Sequence, residues 1–297
     1  MKALRRLVRS ESFLGFLLLL PPLIFLAVLI VGPFLTNALL SLQRLSVTRP
    51  QGEFIGLQNY RSLFADPGFW RFLWQGLVFT GSSTLIQVLL GTGLALLLNQ
   101  ALRCRGLLRA IFVLPWAVPN IVAAATWKFL LWPDGIISYV FVTLGLIDRP
   151  VAWLSMPATA MPAVVLVSVW RFMPFLFLVV LAGLQQIPLE QYESASMDGA
   201  SFWQQFWFIT LPGIRTILLV GILLRFVWLF NNFDLIYLLT GGGPSNATNI
   251  LPIEVYNISF VGSSMGMGAA ITTVMIVVLL LTLVLYYRVR RRELELS

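Results

Sequence analysis

Six apolar stretches dominate the chain, at residues 12–36, 73–98, 110–132, 159–184, 216–240 and 264–287. Each is longer than the roughly 20 helical residues that a hydrocarbon core of about 30 Å requires. In lipid every backbone amide must be satisfied within its own segment or in a closed barrel, and barrel strands would alternate apolar with polar residues. These runs do not alternate, so the expectation is an all-α, polytopic membrane protein with six transmembrane helices. Composition agrees: 59% of the 297 residues are hydrophobic and 11% charged, against about 25% charged in a soluble domain. A soluble enzyme is excluded.

The net charge of +8 is a topology signal and not a nucleic-acid footprint, because the basic residues flank the spans. With both ends cytoplasmic, the inside segments hold Lys2, Arg5, Arg6, Arg9, Arg103, Arg105, Arg109, Arg215, Arg288, Arg290, Arg291 and Arg292, and the outside loops hold Arg44, Arg49, Arg61, Arg71 and Arg149. That bias orients the chain. The basic start and first apolar run resemble a secretory signal, but the run is long, contains Pro21-Pro22 and precedes five more spans, so it reads as an uncleaved helix. No His is present and Cys104 is the single cysteine. Histidine relays, Ser-His-Asp triads and Cys/His metal sites are therefore excluded. With Lys2 and Lys128 the only lysines, there is also no GxxxxGK[ST] phosphate cradle. Any ATP that is used is bound by another chain, and no catalytic constellation is expected here.

Between the fourth and fifth spans, the inner segment 185–215 has a readable order. Pro188 suits the first position of a helix, with Glu190 and Glu193 near its positive end. Gly199 can take the positive φ that ends the helix, and Pro212 should stop a second one. The aromatic half of the segment, Phe202, Trp203, Phe206, Trp207 and Phe208, also suits a connector lying in the lipid headgroup region.

In this segment Glu193, Ser194 and Ala195, then Gly199, then Ile209, Leu211 and Pro212 resemble the EAA loop of binding-protein-dependent ABC importer permeases. That pattern runs E-A-A, three residues, G, nine residues, I-x-L-P, with Ser194 here in place of an alanine. The resemblance implies the type-1 importer permease (MetI-like) fold. It divides the chain into residues 1–72 (N-terminus, first helix and outer loop), a core of 73–288 with the coupling loop at 185–215, and a tail of 289–297. It implies that Glu193, Ser194, Ala195, Asp198, Gly199, Ile209, Leu211 and Pro212 dock on an ATP-hydrolysing subunit. The implied partners are a second, homologous permease, two ATPase subunits carrying ATP and Mg, and an extracytoplasmic solute-binding protein, in a bacterial or archaeal plasma membrane. No cofactor and no metal is implied for this chain. Phe54-Ile-Gly-Leu-Gln-Asn-Tyr60, Asp66-Pro-Gly-Phe-Trp70, Pro115-Trp-Ala-Val-Pro119 and the run from Asn232 to Pro244 look like the carbohydrate branch, the maltose-type and glycerol-3-phosphate-type permeases, which implies a sugar or sugar-like solute.

Polar groups within the spans are candidates for a solute path, because charges at that depth normally face a bundle interior or a wet cavity. Arg171 lies in the fourth span, and Arg225 and Asp234 in the fifth. Projected at 100° per residue, Trp228, Asn231, Asn232 and Asp234 fall in one half of the fifth helix. Amides, a carboxylate and an indole suit a polyol, so Arg171, Trp228, Asn231, Asn232 and Asp234 form the expected path, with Arg171 the nearer partner for Asp234. Their alternative role is helix packing alone. Pro115, Pro119, Pro162 and Pro174 are candidate kinks or breaks. A self-sufficient secondary transporter is the rival reading. It would want a titratable relay or an internal repeat, and the sequence offers only Asp234.

Overall fold

The computed structural model describes residues 11–46, 49–100 and 102–294. Lys2, Arg5, Arg6 and Arg9, counted above as inside, and residues 295–297 of the expected tail lie outside the described residues. The chain divides into two compact units, Met1–Asp66 with Val255–Ile276, and Pro67–Glu254 with Val277–Ser297.

In the first unit, helix α1 (Glu11–Leu26), a π turn (Ala27–Val31) and helix α2 (Gly32–Ser41) form one apolar span, Gly15–Ser41. None of its most apolar stretch is buried by the chain, as suits a helix that is hydrophobic all round and faces lipid. The π turn comes immediately before Gly32-Pro33. A proline lacks the N–H and its ring collides with the carbonyl four residues back, and one widened turn absorbs both faults without ending the helix. The polar segment that follows pairs its own backbone as an antiparallel hairpin, β1 (Gln43–Ser46) with β2 (Arg49–Phe54), a feature that an all-helical expectation omits. Helix α3 (Gln58–Ala65) is tied to the hairpin's start by Asn59, whose Nδ2 donates to the carbonyls of Ser41 at 2.8 Å and Gln43 at 2.9 Å.

The second unit opens with α4 (Pro67–Asn99), a single helix of 33 residues. Then follow α5 (Arg105–Ala117), α6 (Asn120–Leu130), α7 (Ile136–Thr143) and α8 (Pro157–Leu184). After α8 come α9 (Leu189–Met197), α10 (Phe202–Gln205), a π turn (Phe206–Thr210), α11 (Leu211–Phe230), α12 (Asp234–Thr240) and α13 (Leu251–Tyr256). Helix α13 ends in the first unit, where a further π turn (Asn257–Val261) leads to α14 (Met265–Leu294). Helix α14 runs seven residues beyond the expected end of the sixth span.

Helix α8 is the centre of the second unit, and 61% of its most apolar stretch is buried. Small residues let its neighbours come close. A Cβ on Gly183 of α8 would stand 2.7 Å from Ile217 Cγ2 of α11, and one on Gly221 of α11 would stand 2.9 Å from Leu176 Cδ2 of α8. Such contacts replace the hydrophobic drive that lipid does not supply. Two apolar clusters lie along these helices. One joins Ala95, Leu98, Phe177, Leu181, Leu184 and Ile214. The other joins Phe79, Val164, Val167, Leu229, Leu235, Ile236 and Ile250.

The third and fifth spans differ from expectation in more than their margins. The third is broken: α5 and α6 meet at 97°, with Val118 and Pro119 extended between them. Pro119 disfavours helix at the residue before it and has no N–H for the carbonyl of Pro115. The fifth begins earlier and ends earlier than 216–240, running from Phe202 to Phe230. Pro212 does not stop a helix there. As at Pro33, a π turn precedes it and the helix continues. Pro162 and Pro174 lie inside α8 without ending it.

Candidate functional site

Helix α9 carries the first half of the motif and ends in a tightly closed turn. Gly199 has φ +80°, and around it the Ala200 N–H donates to the Ala195 carbonyl at 2.9 Å while the Gly199 N–H donates to Ser196 at 3.1 Å. Those two bonds define a Schellman motif, which needs a left-handed residue at the glycine. Two residues on, Ser201 caps α10. Its Oγ accepts from the Gln204 backbone N–H at 3.4 Å, and the Ser201 N–H donates to Gln204 Oε1 at 2.7 Å, closing a capping box. Glu193, Ser194, Asp198 and Gly199 are exposed, and Ala195 is half-buried. Pro188 sits one position outside the helix, as its cap, and Glu190 lies in the first turn.

This exposed face is fastened to the spans behind it. Tyr192 Oη lies 2.9 Å from Thr210 Oγ1 in the π turn. Gln205 Nε2 donates to Ser196 Oγ at 2.9 Å and to the Ala200 carbonyl at 3.2 Å. On the other side, Ile187 fills the space against Gly213, where a Cβ would stand 2.6 Å from Ile187 Cδ1. Ile209 and Leu211 are half-buried and Pro212 is exposed, so these three belong to the join between the segment and α11 and not to the exposed face of α9. A cleft of about 290 Å³ lies beside the join, with Asn99, Gln100, Tyr192, Gln205 and Phe206 in its wall. Sequence reasoning passed over Met197, which is 84% exposed at the end of α9. A large apolar side chain standing free beside the glycine was visible in the motif as the residue preceding Asp198-Gly199.

Of the five path candidates, Arg171 lies on α8 and Trp228 on α11, while Asn231, Asn232 and Asp234 lie at or beyond the end of α11 and so do not share the single helix face of the projection. Arg171 is buried on α8, and its Nε donates to Asn120 Oδ1 at 2.6 Å and its Nη1 to the Pro115 carbonyl at 2.7 Å and the Trp116 carbonyl at 3.4 Å. It is not the partner of Asp234. It supplies the donors that the break at Pro119 takes away. Asn231 ends α11 and spends its amide on the Val227 carbonyl at 2.9 Å. Asp234 is exposed at the start of the separate helix α12. Because the helix ends at Phe230, a projection carried to Asn232 and Asp234 has no common axis. Trp228 is 47% exposed and meets Phe175 of α8 edge-on at 5.0 Å, and Phe175 in turn lies 6.2 Å from Trp116 of α5. This row of three rings, two of them half open, was not anticipated beyond Trp228.

Lipid-spanning helices, a broken third span and an exposed, rigidly mounted loop between α8 and α11 define an integral-membrane transport component. Residues 87–294 match the family described as the binding-protein-dependent transport system inner membrane component, and the chain belongs to that family. Among its relatives is the trehalose/maltose transport system permease protein MalF of Thermococcus litoralis, 38% identical over 96% of each chain. Another is the sulfoquinovosyl glycerol transport system permease protein SmoG of Agrobacterium fabrum, 32% identical over 95% of this chain and 92% of the other. The fold is that of a permease chain in the crystal structure of a bacterial ABC transporter involved in the import of the acidic polysaccharide alginate. That match has a TM-score of 0.82 and 24% identity, and covers 98% of this chain and 99% of that one.

Proposed function

We propose that this permease carries a sugar or sugar-like solute inward across a bacterial or archaeal plasma membrane, driven by ATP hydrolysis on separate subunits. The observation that carries the reading is the exposed face from Glu193 to Gly199, closed by a Schellman turn and fastened by Tyr192 and Gln205 to the root of α11. A face that is exposed yet rigidly joined to two spans is what force transmission requires. The two ATPase subunits, holding ATP and Mg, dock there from the cytoplasm. A second, homologous permease completes the pore, and an external binding protein delivers the solute to the opposite side. Both termini are cytoplasmic, in keeping with the basic residues of the inside segments. The pore alternates between inward and outward openings as α9 moves with the ATPase pair. Sugar-transport names among relatives at 32 to 38% identity support the solute class, as do the rings of Trp116, Phe175 and Trp228, which offer flat apolar faces to the C–H side of a pyranose. Asn232, whose Oδ1 lacks a hydrogen-bond partner among the described residues, keeps an amide acceptor free for a hydroxyl.

The test is to purify the tagged chain from its native membrane in mild detergent and identify its partners by mass spectrometry. A second six-span chain with an ATPase at two copies is the expected result. Recovery of the chain alone, with uptake driven by a proton or sodium gradient, would overturn the reading.

A further inference from the structure

The spans of the second unit hold buried positive charge and no negative charge. No Asp or Glu occurs between Asp66 and Asp134, between Asp148 and Glu190, or between Asp198 and Asp234. Helices α4, α5, α6, α8 and α11 are thus free of carboxylates, yet Arg171 on α8 and Arg225 on α11 are 8% and 2% exposed. Neither has a carboxylate partner among the described residues. The two guanidinium groups share one ring, lying 5.3 and 4.8 Å from the centroid of Phe172. Arg171 is occupied with the carbonyls of the broken span, but Arg225 is not so well served. Its Nε donates to Gln87 Oε1 at 2.9 Å, while its Nη2 is buried without an acceptor among the described residues.

The surroundings are polar in a way that one amide does not explain. Gln87 of α4 is fully buried and donates from Nε2 to the Ser168 carbonyl of α8 at 3.4 Å. Among the described residues the Ser168 hydroxyl is buried without a partner, and so are the hydroxyls of Ser83 and Thr84, one turn before Gln87 on its face of α4. Gln87 thus touches Arg225 and Ser168 directly and shares a helix face with Ser83 and Thr84. The buried hydroxyls and guanidinium nitrogen of these residues are idle among the described residues, and a buried polar group or charge left unpaired is expensive. Water would serve the hydroxyls, but the Arg225 charge, faced by the rings of Phe172, Phe175 and Trp228, would still lack an anionic partner among the described residues. We propose that Arg225, reinforced by Arg171, forms a site in the spanning core for one anionic group, which accepts hydrogen bonds from Arg225 Nη2 and the buried hydroxyls of Ser168, Ser83 and Thr84. The Trp228 ring lies 5.8 Å from the Arg225 guanidinium and is half open, so the site is one layer behind an exposed surface. The anion has two possible sources, the acid group of the transported solute or a free halide. The solute source rests on the importer reading above, and the halide source does not.

The assay is thermal unfolding of the detergent-solubilised assembly that the chain purifies with, followed by intrinsic fluorescence. Sodium galacturonate is titrated against galactose, and separately sodium chloride against sodium HEPES at equal ionic strength. Wild type is expected to gain about 2 to 4 °C with at least one of the two anions. Galacturonate alone would assign the site to an acidic solute, and a response to chloride would assign it to a free anion. Arg225→Met should abolish the gain and Arg225→Lys retain part of it. The proposal is overturned if neither anion moves the wild-type midpoint beyond its control, or if Arg225→Met responds equally. The wild-type titration decides even where Arg225→Met does not assemble. It needs no transport or ATP hydrolysis, so its failure is distinct from failure of the importer reading, which the identified partners decide.

Discussion

Gly199 separates the strain of the coupling turn from its surface. A Cβ built there meets nothing within 4 Å, and the residue sits at φ +80°. Any side chain added at this position therefore pays the left-handed backbone penalty, about 1 to 2 kcal/mol, and no clash inside its own chain. Gly199→Ala and Gly199→Leu should destabilise the purified chain by that same amount, and Gly199→Asn by less, because asparagine tolerates the left-handed region. Transport should sort them differently. If Glu193 to Gly199 is the face on which the ATPase docks, Leu stands out into the contact and Ala hardly does. Solute uptake into proteoliposomes and solute-stimulated ATP hydrolysis should then be near wild type for Gly199→Asn, reduced for Gly199→Ala and lost for Gly199→Leu, with the affinity of the binding protein for its solute unchanged. Equal uptake by the Ala and Leu variants, at equal thermal stability, would refute the docking assignment.

Arg171→Met should leave the carbonyls of Pro115 and Trp116 and the Asn120 amide without their donor, a loss of about 3 kcal/mol seen as a lower unfolding midpoint, and Arg171→Lys should recover only part of it. Gly183→Ala drives a methyl to 2.7 Å from Ile217 Cγ2, so α8 and α11 must part, at a cost of about 1 to 3 kcal/mol in thermal unfolding. Met197→Glu alters an exposed side chain, so the chain should fold as wild type while co-purification of the ATPase falls sharply. Trp228→Ala should raise the solute concentration needed for half-maximal uptake without altering the yield of the assembly.

The spans were legible because lipid imposes one rule, about 20 apolar residues in a row, and the chain obeys it. Their interruptions were less so. Four prolines were equal candidates for a break, and only Pro119 makes one. Pro162 and Pro174 lie in α8, which packs against both α4 and α11, whereas the carbonyl freed at Pro115 finds its donor on Arg171, a residue that no local pattern links to it. The end of the fifth span was misread because the apolar run continues to Thr240. The Asn231-Asn232 pair, with one amide turned back on the Val227 carbonyl, was the stop signal. In the motif, Gly199 could be assigned its positive φ from its position alone, but the Gln205 and Tyr192 ties depend on how α9 folds back on the π turn. That turn immediately precedes Leu211-Pro212, as the turn in the first span immediately precedes Gly32-Pro33.

Arg171 also limits how the second unit can move. Helix α8 carries Gly183 and Leu184 at one end, locked against Ile214 and Ile217 of α11, and Arg171 about 18 Å further along, at 1.5 Å per residue. A rigid helix held on the coupling side moves as a lever, and whatever it grips at mid-length must follow or let go. What it grips is the break of the third span, by hydrogen bonds to Asn120, Pro115 and Trp116. The angle between α5 and α6 can therefore change with α8 only if the two short helices swing about Val118-Pro119 while their facing ends stay on the guanidinium. Two segments of 13 and 11 residues, joined by an extended pair, can do so without breaking a helical hydrogen bond, which an unbroken third span could not.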